Sequence, residues 1–221
     1  NQFLQLCATD ATSAETQAAI REDFDQLIAE KTHKRLKEYS VTTGFDLDHP
    51  MQYATHRLPS IQQIAEECIQ RARELPALPA VMHGDLCFSN VLFDSRADQI
   101  KVIDPRGLTA QGELSIYGDQ KYDLAKLAHS VIGLYDFIIA GRYRLIEQGL
   151  YHVELDFELD ERIYEIQQIF SNHEFGHSLT ISQILPLVIL LFLSMLPLHQ
   201  DRPDRQRAML ANAVRLYLKL G

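Results

Sequence analysis

Asp85, Asn90 and Asp104 are the residues of this 221-residue sequence whose types and spacing point most directly to chemistry. The segment His83-Gly84-Asp85-Leu86-Cys87-Phe88-Ser89-Asn90 sets a carboxylate and an amide five residues apart. Asp104 closes an apolar run fourteen residues beyond Asn90. Val91-Leu92-Phe93 and Ile100-Lys101-Val102-Ile103 read as two strands, and DSRADQ between them as the turn of a hairpin. A hairpin folds back on itself, so Asn90 before its first strand and Asp104 after its second are expected side by side. An amide oxygen next to a carboxylate is a hard-oxygen site suited to Mg²⁺. Asp85, on the same loop, is placed to accept a proton from a hydroxyl. A metal that neutralises charge and a carboxylate that orients a nucleophile are the parts phosphoryl transfer uses.

A second motif competes. His173-Glu174-Phe175-Gly176-His177 matches H-E-x-x-H, which on a helix turns both imidazoles to one side and lets them share a zinc. Gly176 and the preceding Ser171-Asn172 weaken that helix, and Thr180 and Gln183 stand where a metzincin carries Gly and a third His. With nine His in the chain, chance alone supplies about 0.02 such matches. No zinc is expected there, and a zinc hydrolase is the weakest of the functional readings.

The elements that must position the first motif are mostly helical. Thr12 and Glu15 form a capping box, after which Ile20, Phe24, Leu27 and Ile28 share a face of a helix running to about Tyr39. Residues 40–59 read as a connector with Gly44, Pro50 and Pro59. Ser60 caps a helix with Ile61, Ile64, Cys68, Ile69 and Ala72 on one side, ended by Pro76. The eighty residues before His83 are read as helices without strands. Residues 105–121 read as loop, and helices are expected from Tyr122 and at roughly 160–170, 179–197 and 203–219, with Pro203 in a first turn. The expected fold is mainly α with one small β-hairpin (α+β), a single domain over residues 1–221. Ile184 to Leu198 is apolar for fifteen residues, short of the ~20 that span a bilayer, and reads as a buried core helix.

The wording of the central loop resembles a known family. HGDLCFSN followed by VIDP is similar to the catalytic loop and metal-binding strand of the aminoglycoside phosphotransferase and choline kinase group, whose loop reads H-x-D-x-x-x-x-N. Tyr122-Asp123-Leu124-Ala125 resembles the Y-D-[IL]-A that opens the family's next helix. Nine His, sixteen Asp and four Asn give about 0.01 chance matches to the loop alone. IDPRG and YDLAKLAHS are also similar to kinase-like proteins of bacterial capsule and surface-polysaccharide genes. The resemblance implies the C-terminal lobe of a protein-kinase-like fold. It implies Asp85 as catalytic base, Asn90 and Asp104 as ligands of Mg²⁺ and hence of ATP, and His83 and Asp123 as supports of the loop. Arg106, Glu113, Tyr117 and Asp119 are candidates to face the acceptor.

The chain departs from the family upstream. A complete kinase carries a glycine-rich loop and a strand Lys before the catalytic loop. Here the only upstream glycine is Gly44, and Lys31, Lys34 and Lys37 fall on the polar side of a charged helix. A nucleotide-covering N-terminal lobe is therefore expected in a longer parent or a partner. A non-catalytic kinase-like scaffold is the main alternative, although a pseudokinase typically loses one of the three residues retained here.

Composition bounds the rest. Thirty acids against twenty-one bases give a formal charge of −9, the wrong sign for a non-specific nucleic-acid binder. Cys7, Cys68 and Cys87 stand far apart, which fits a reducing compartment, and the first thirty residues lack a basic start and apolar stretch. The expectation is a cytoplasmic phosphotransferase moving the γ-phosphate of ATP to a hydroxyl of a small metabolite. A sugar or sugar-derived polysaccharide precursor is the first choice of acceptor and an amino alcohol such as choline the second, with the net charge slightly favouring a cation.

Overall fold

The computed structural model describes residues 13–175 and 178–220. Cys7, Thr12 and His177 lie outside them. Helix α1 (Ala14–Asp25) is capped by Ser13, whose hydroxyl accepts from the Thr16 amide, one residue on from the expected Thr12. It runs through a single π-helical turn, Gln26–Glu30, into α2 (Lys31–Thr43). Gly44 ends α2 with φ +72°, the left-handed geometry that glycine adopts without a Cβ penalty.

The next stretch is a correction to the expected connector. Strands β1 (Pro50–Tyr53) and β2 (His56–Ser60) pair antiparallel before α3 (Ile61–Glu74), which Ser60 and Gln63 open with a capping box. Two further strands, β7 (Arg144–Gly149) and β8 (His152–Asp156), complete a four-stranded sheet in the order β2-β1-β8-β7, with β1 parallel to β8. The Tyr53 hydroxyl ties the two halves by donating to the Leu155 carbonyl and accepting from the Leu155 amide. The chain is thus mixed α+β, with more sheet than one hairpin.

Between these halves come β3 (Pro79–Val81), a 3₁₀ turn at Phe88–Asn90, and the hairpin β4 (Val91–Asp94) with β5 (Gln99–Val102). Strand β6 (Tyr117–Asp119), inside the expected loop, pairs with β3 and leads into α4 (Gln120–Val131). Short α5 (Tyr135–Ile139) precedes β7, and α6 (Glu161–Ser171), α7 (Ile181–Met195) and α8 (Pro203–Tyr217) finish the chain.

Helix α7 is the centre of the core. It packs against α2, α3, α4 and α8, and Ile184, Val188, Ile189, Phe192 and Leu193 are completely buried. Together with the 3₁₀ turn after it, this is the one helix among the described residues long and apolar enough to cross a bilayer. Here that surface is covered by the other helices instead, and each fully buried Leu or Ile contributes roughly 1.5–3 kcal/mol.

Candidate functional site

The loop before the hairpin is built on Asp123. This residue sits in the first turn of α4, is buried, and accepts from the amides of His83 and Gly84 at 2.7 Å each. Burial raises its carboxyl above the ordinary value, and the two amides oppose that rise. Gly84 has φ +80°, and a Cβ there would come within 2.7 Å of the Arg106 Cβ, so the crossing of the two segments needs glycine. His83 is buried and locks the loop to the hairpin. Its Nδ1 accepts from the Asp85 amide at 3.2 Å, which leaves Nε2 as the donor to the Ile103 carbonyl at 2.9 Å.

The hairpin does what its sequence implies. Val91 pairs with Val102, and the Ile103 amide donates to the Asn90 carbonyl at 3.0 Å, bringing the residue before β4 beside the segment that carries Asp104. The Asn90 side-chain amide donates to the Asp85 carbonyl oxygen at 2.9 Å and to Asp85 Oδ2 at 3.2 Å. Its nitrogen is thereby committed, and its Oδ1 is the end left for a cation. Asp104 is exposed at φ +56° with no hydrogen-bond or ion-pair partner among the described residues. An amide oxygen and an unpaired carboxylate suit Mg²⁺, which takes one or two protein oxygens and fills its octahedron with water and phosphate. They do not suit zinc, and among the described residues no three His, Cys, Asp or Glu side chains are grouped to hold a metal.

Asp85 and Asp104 line one cleft of about 270 Å³ with Lys31, Gly84, Pro105, Arg106, Tyr122 and Lys126. Three of these residues were not legible as site residues. Lys126 binds Asp85 Oδ1 at 2.8 Å and fixes the carboxylate between itself and Asn90. Tyr122 stands one helical turn before Lys126, so the Tyr-x₃-Lys spacing on α4 was the available signal. Lys31, placed by sequence on a solvated face, reaches the cleft beside Tyr122. Burial alone would push the Tyr122 phenol up, but Lys126, Lys31 and Arg106 outweigh it and hold the phenol below its ordinary value. Burial lowers the Lys31 ammonium. For Lys126, burial lowers the ammonium, but Tyr122 and Asp85 reverse this and leave it raised.

The other acceptor candidates divide. Arg106 lines the cleft, anchored by its amide to the His83 carbonyl at 2.8 Å. Glu113 and Tyr117 are exposed and lie outside the cleft lining. Asp119 is a correction: it is buried, caps α4 through the Lys121 amide, and pairs with the Lys121 ammonium at 2.6 Å. That carboxylate holds the fold and does not face a substrate.

The described part of the second motif, residues 173–175, is not helical. Helix α6 ends at Ser171, His173 and Glu174 are exposed, and Phe175 bridges to Leu179. A larger cleft of about 680 Å³ is lined by Arg142, Arg144, Asp156 and Glu158, with Arg144 and Asp156 ion-paired, and holds none of Asp85, Asn90 and Asp104. Comparison with family models, with curated proteins and with solved structures returned no match to this chain.

Proposed function

We propose that the chain is the catalytic lobe of a small-molecule phosphotransferase that moves the γ-phosphate of ATP to a hydroxyl of a metabolite. One observation carries this reading: Asp85, Asn90 and Asp104 converge at the root of the hairpin, with Asp85 and Asp104 facing one cleft and Asn90 bonded to Asp85. Asn90 Oδ1 and the Asp104 carboxylate would hold Mg²⁺, which when bound neutralises phosphate charge. The acceptor oxygen attacks the γ-phosphorus and forms the new O–P bond. The bond to the β,γ-bridging oxygen breaks, its electron pair leaves with ADP, and the acceptor proton passes to Asp85. Lys126 and Asn90 orient that carboxylate. A sugar or sugar-derived precursor of a surface polysaccharide remains the first choice of acceptor, within the cytoplasm where ATP is available.

A nucleotide-covering lobe, in the longer parent or as a partner, belongs to this mechanism. The hairpin supports it, because Leu92, Phe93, Ile100 and Ile103 are all about half exposed or more, at 47%, 65%, 67% and 46%. Adjacent apolar side chains left open beside a cleft are the mark of a docking surface.

The test compares two variants in the full-length product of the reading frame. Asp85→Asn removes the proton-accepting charge but keeps the metal ligands, so turnover is expected to fall about 10²–10⁴-fold with Mg²⁺–ADP affinity unchanged. Asp104→Ala is expected to weaken calorimetric Mg²⁺–ADP binding itself. Near wild-type turnover in Asp85→Asn would remove Asp85 as base and the mechanism with it.

A further inference from the structure

The cleft carries a charge opposite to that of the chain. Three cations, Lys31, Arg106 and Lys126, face it against two carboxylates, in a protein of formal charge −9. Lys126 is matched by Asp85. Lys31 and Arg106 have no carboxylate partner among the described residues, and the Arg106 guanidinium donates to the Thr109 carbonyl at 3.3 Å. The two are near enough to repel one another, and Lys31 is partly buried. Holding unpaired cations together at a partly desolvated site costs stability unless a ligand anion joins them.

The backbone is adapted to place Lys31. The π-helical turn Gln26–Glu30 ends on it, with the Lys31 amide donating to the Gln26 carbonyl five residues back. Such turns insert a residue into a helix and rotate its C-terminal part, and they occur often at functional sites. Lys31, Tyr122 and Lys126 line one cleft with Asp85, the group that meets the acceptor hydroxyl, and Lys126 contacts that carboxylate directly. Asp104, at the metal end, has no cation paired with it. This arrangement favours the acceptor over the nucleotide as the source of the anion.

We propose that Lys31 and Arg106, with the Tyr122 hydroxyl, bind an oxyanion on the acceptor, so that the acceptor is a phosphorylated or carboxylated hydroxyl compound. The proposal rests on the phosphotransferase reading and narrows it, and it reverses the preference for a cationic acceptor that net charge suggested. Net charge reports on the whole surface, whereas the side chains lining the cleft decide what enters it.

The experiment titrates the full-length product calorimetrically with inorganic phosphate, glycerol 3-phosphate, glycerol and choline, with and without Mg²⁺–ADP, and assays phosphoryl transfer from Mg²⁺–ATP to the three hydroxyl compounds. Glycerol 3-phosphate is expected to bind at least about tenfold more tightly than glycerol or choline, as charge-assisted hydrogen bonds do. That binding should survive saturation with Mg²⁺–ADP. Lys31→Met and Arg106→Met should each lose about tenfold in glycerol 3-phosphate affinity with Mg²⁺–ADP affinity unchanged, and Lys31→Arg should restore it. Urea transitions of each variant establish that it is folded, and Arg106→Met stands in if Lys31→Met is not. Equal binding of choline, or displacement of glycerol 3-phosphate by Mg²⁺–ADP with both variants weakened for nucleotide, would overturn the proposal. Phosphorylation of choline without anion affinity would end this inference and keep the kinase. Anion affinity with no phosphoryl transfer to any hydroxyl compound would end the kinase reading and, with it, the assignment of the anion to an acceptor, leaving an anion site of another kind.

Discussion

Asp104 holds a backbone conformation that its side chain does not favour. At φ +56° an L-residue brings Cβ against the backbone at a cost of about 1–2 kcal/mol, less for Asp than for bulkier residues. The segment is pinned on both sides, by Ile103 to the Asn90 carbonyl and by Arg106 to the His83 carbonyl. The strain is thus imposed by the loop crossing that puts the carboxylate on the cleft. Asp104→Gly is expected to raise the urea unfolding free energy by about 1 kcal/mol over Asp104→Ala, while both lose Mg²⁺–ADP affinity alike. An alanine variant as stable as the glycine variant would show that this backbone carries no strain. The three polar residues of the loop were readable because a hairpin forces its two ends together. Lys31 was not, because nothing in a charged helix of period 3.6 tells which charge a distant cleft will claim.

Helix α4 joins the loop to the core, and its last turn makes the element sensitive to acid. His129 is buried between Tyr135 and Phe192, with ring centroids at 4.6 and 4.0 Å. Burial first, and Lys126 second, hold its imidazole well below the ordinary value. The unfolded chain therefore binds the proton that the folded chain refuses, and stability falls as pH drops through the unfolded value near 6.5. Between pH 7 and pH 5 this one group removes roughly 1–2 kcal/mol. Urea unfolding free energies at the two pH values should converge by about that amount in His129→Phe, and an unchanged pH dependence would contradict the assignment. Helices α3, α4, α7 and α8 were legible from apolar period and caps, and the β4–β5 hairpin from its turn. The four-stranded sheet was not. Its strands are four to six residues long, β1 begins at Pro50, and Gly149 breaks the β7–β8 register. The pairing of Gln52 with His152 joins segments that no local pattern connects.

At the scale of the molecule, a deep interior forms around α7 and an open apolar rim lies at the hairpin. Phe93 and Ile100 face each other across β4 and β5 and are both about two-thirds exposed. Phe93→Ser with Ile100→Thr is expected to change urea stability by less than about 0.5 kcal/mol, since little burial is lost. The same pair should reduce binding of an apolar dye and raise the KM for ATP in the full-length product. A large loss of stability would mean that the rim already serves the lobe's own core. The position of α7 in the order of the chain has a consequence for biosynthesis. Helix α3 ends at Glu74, and α7, which covers its apolar face, is complete only at Met195. At about 5–20 residues per second the ribosome needs roughly 6–24 s to make the intervening stretch. Throughout that time Ile61, Ile64, Cys68 and Ile69 emerge without the partner that will bury them. The nascent chain is expected to expose this apolar face to hydrophobic chaperones until Met195 has emerged, and a stalled translation product ending before residue 181 is expected to be a substrate for proteolysis.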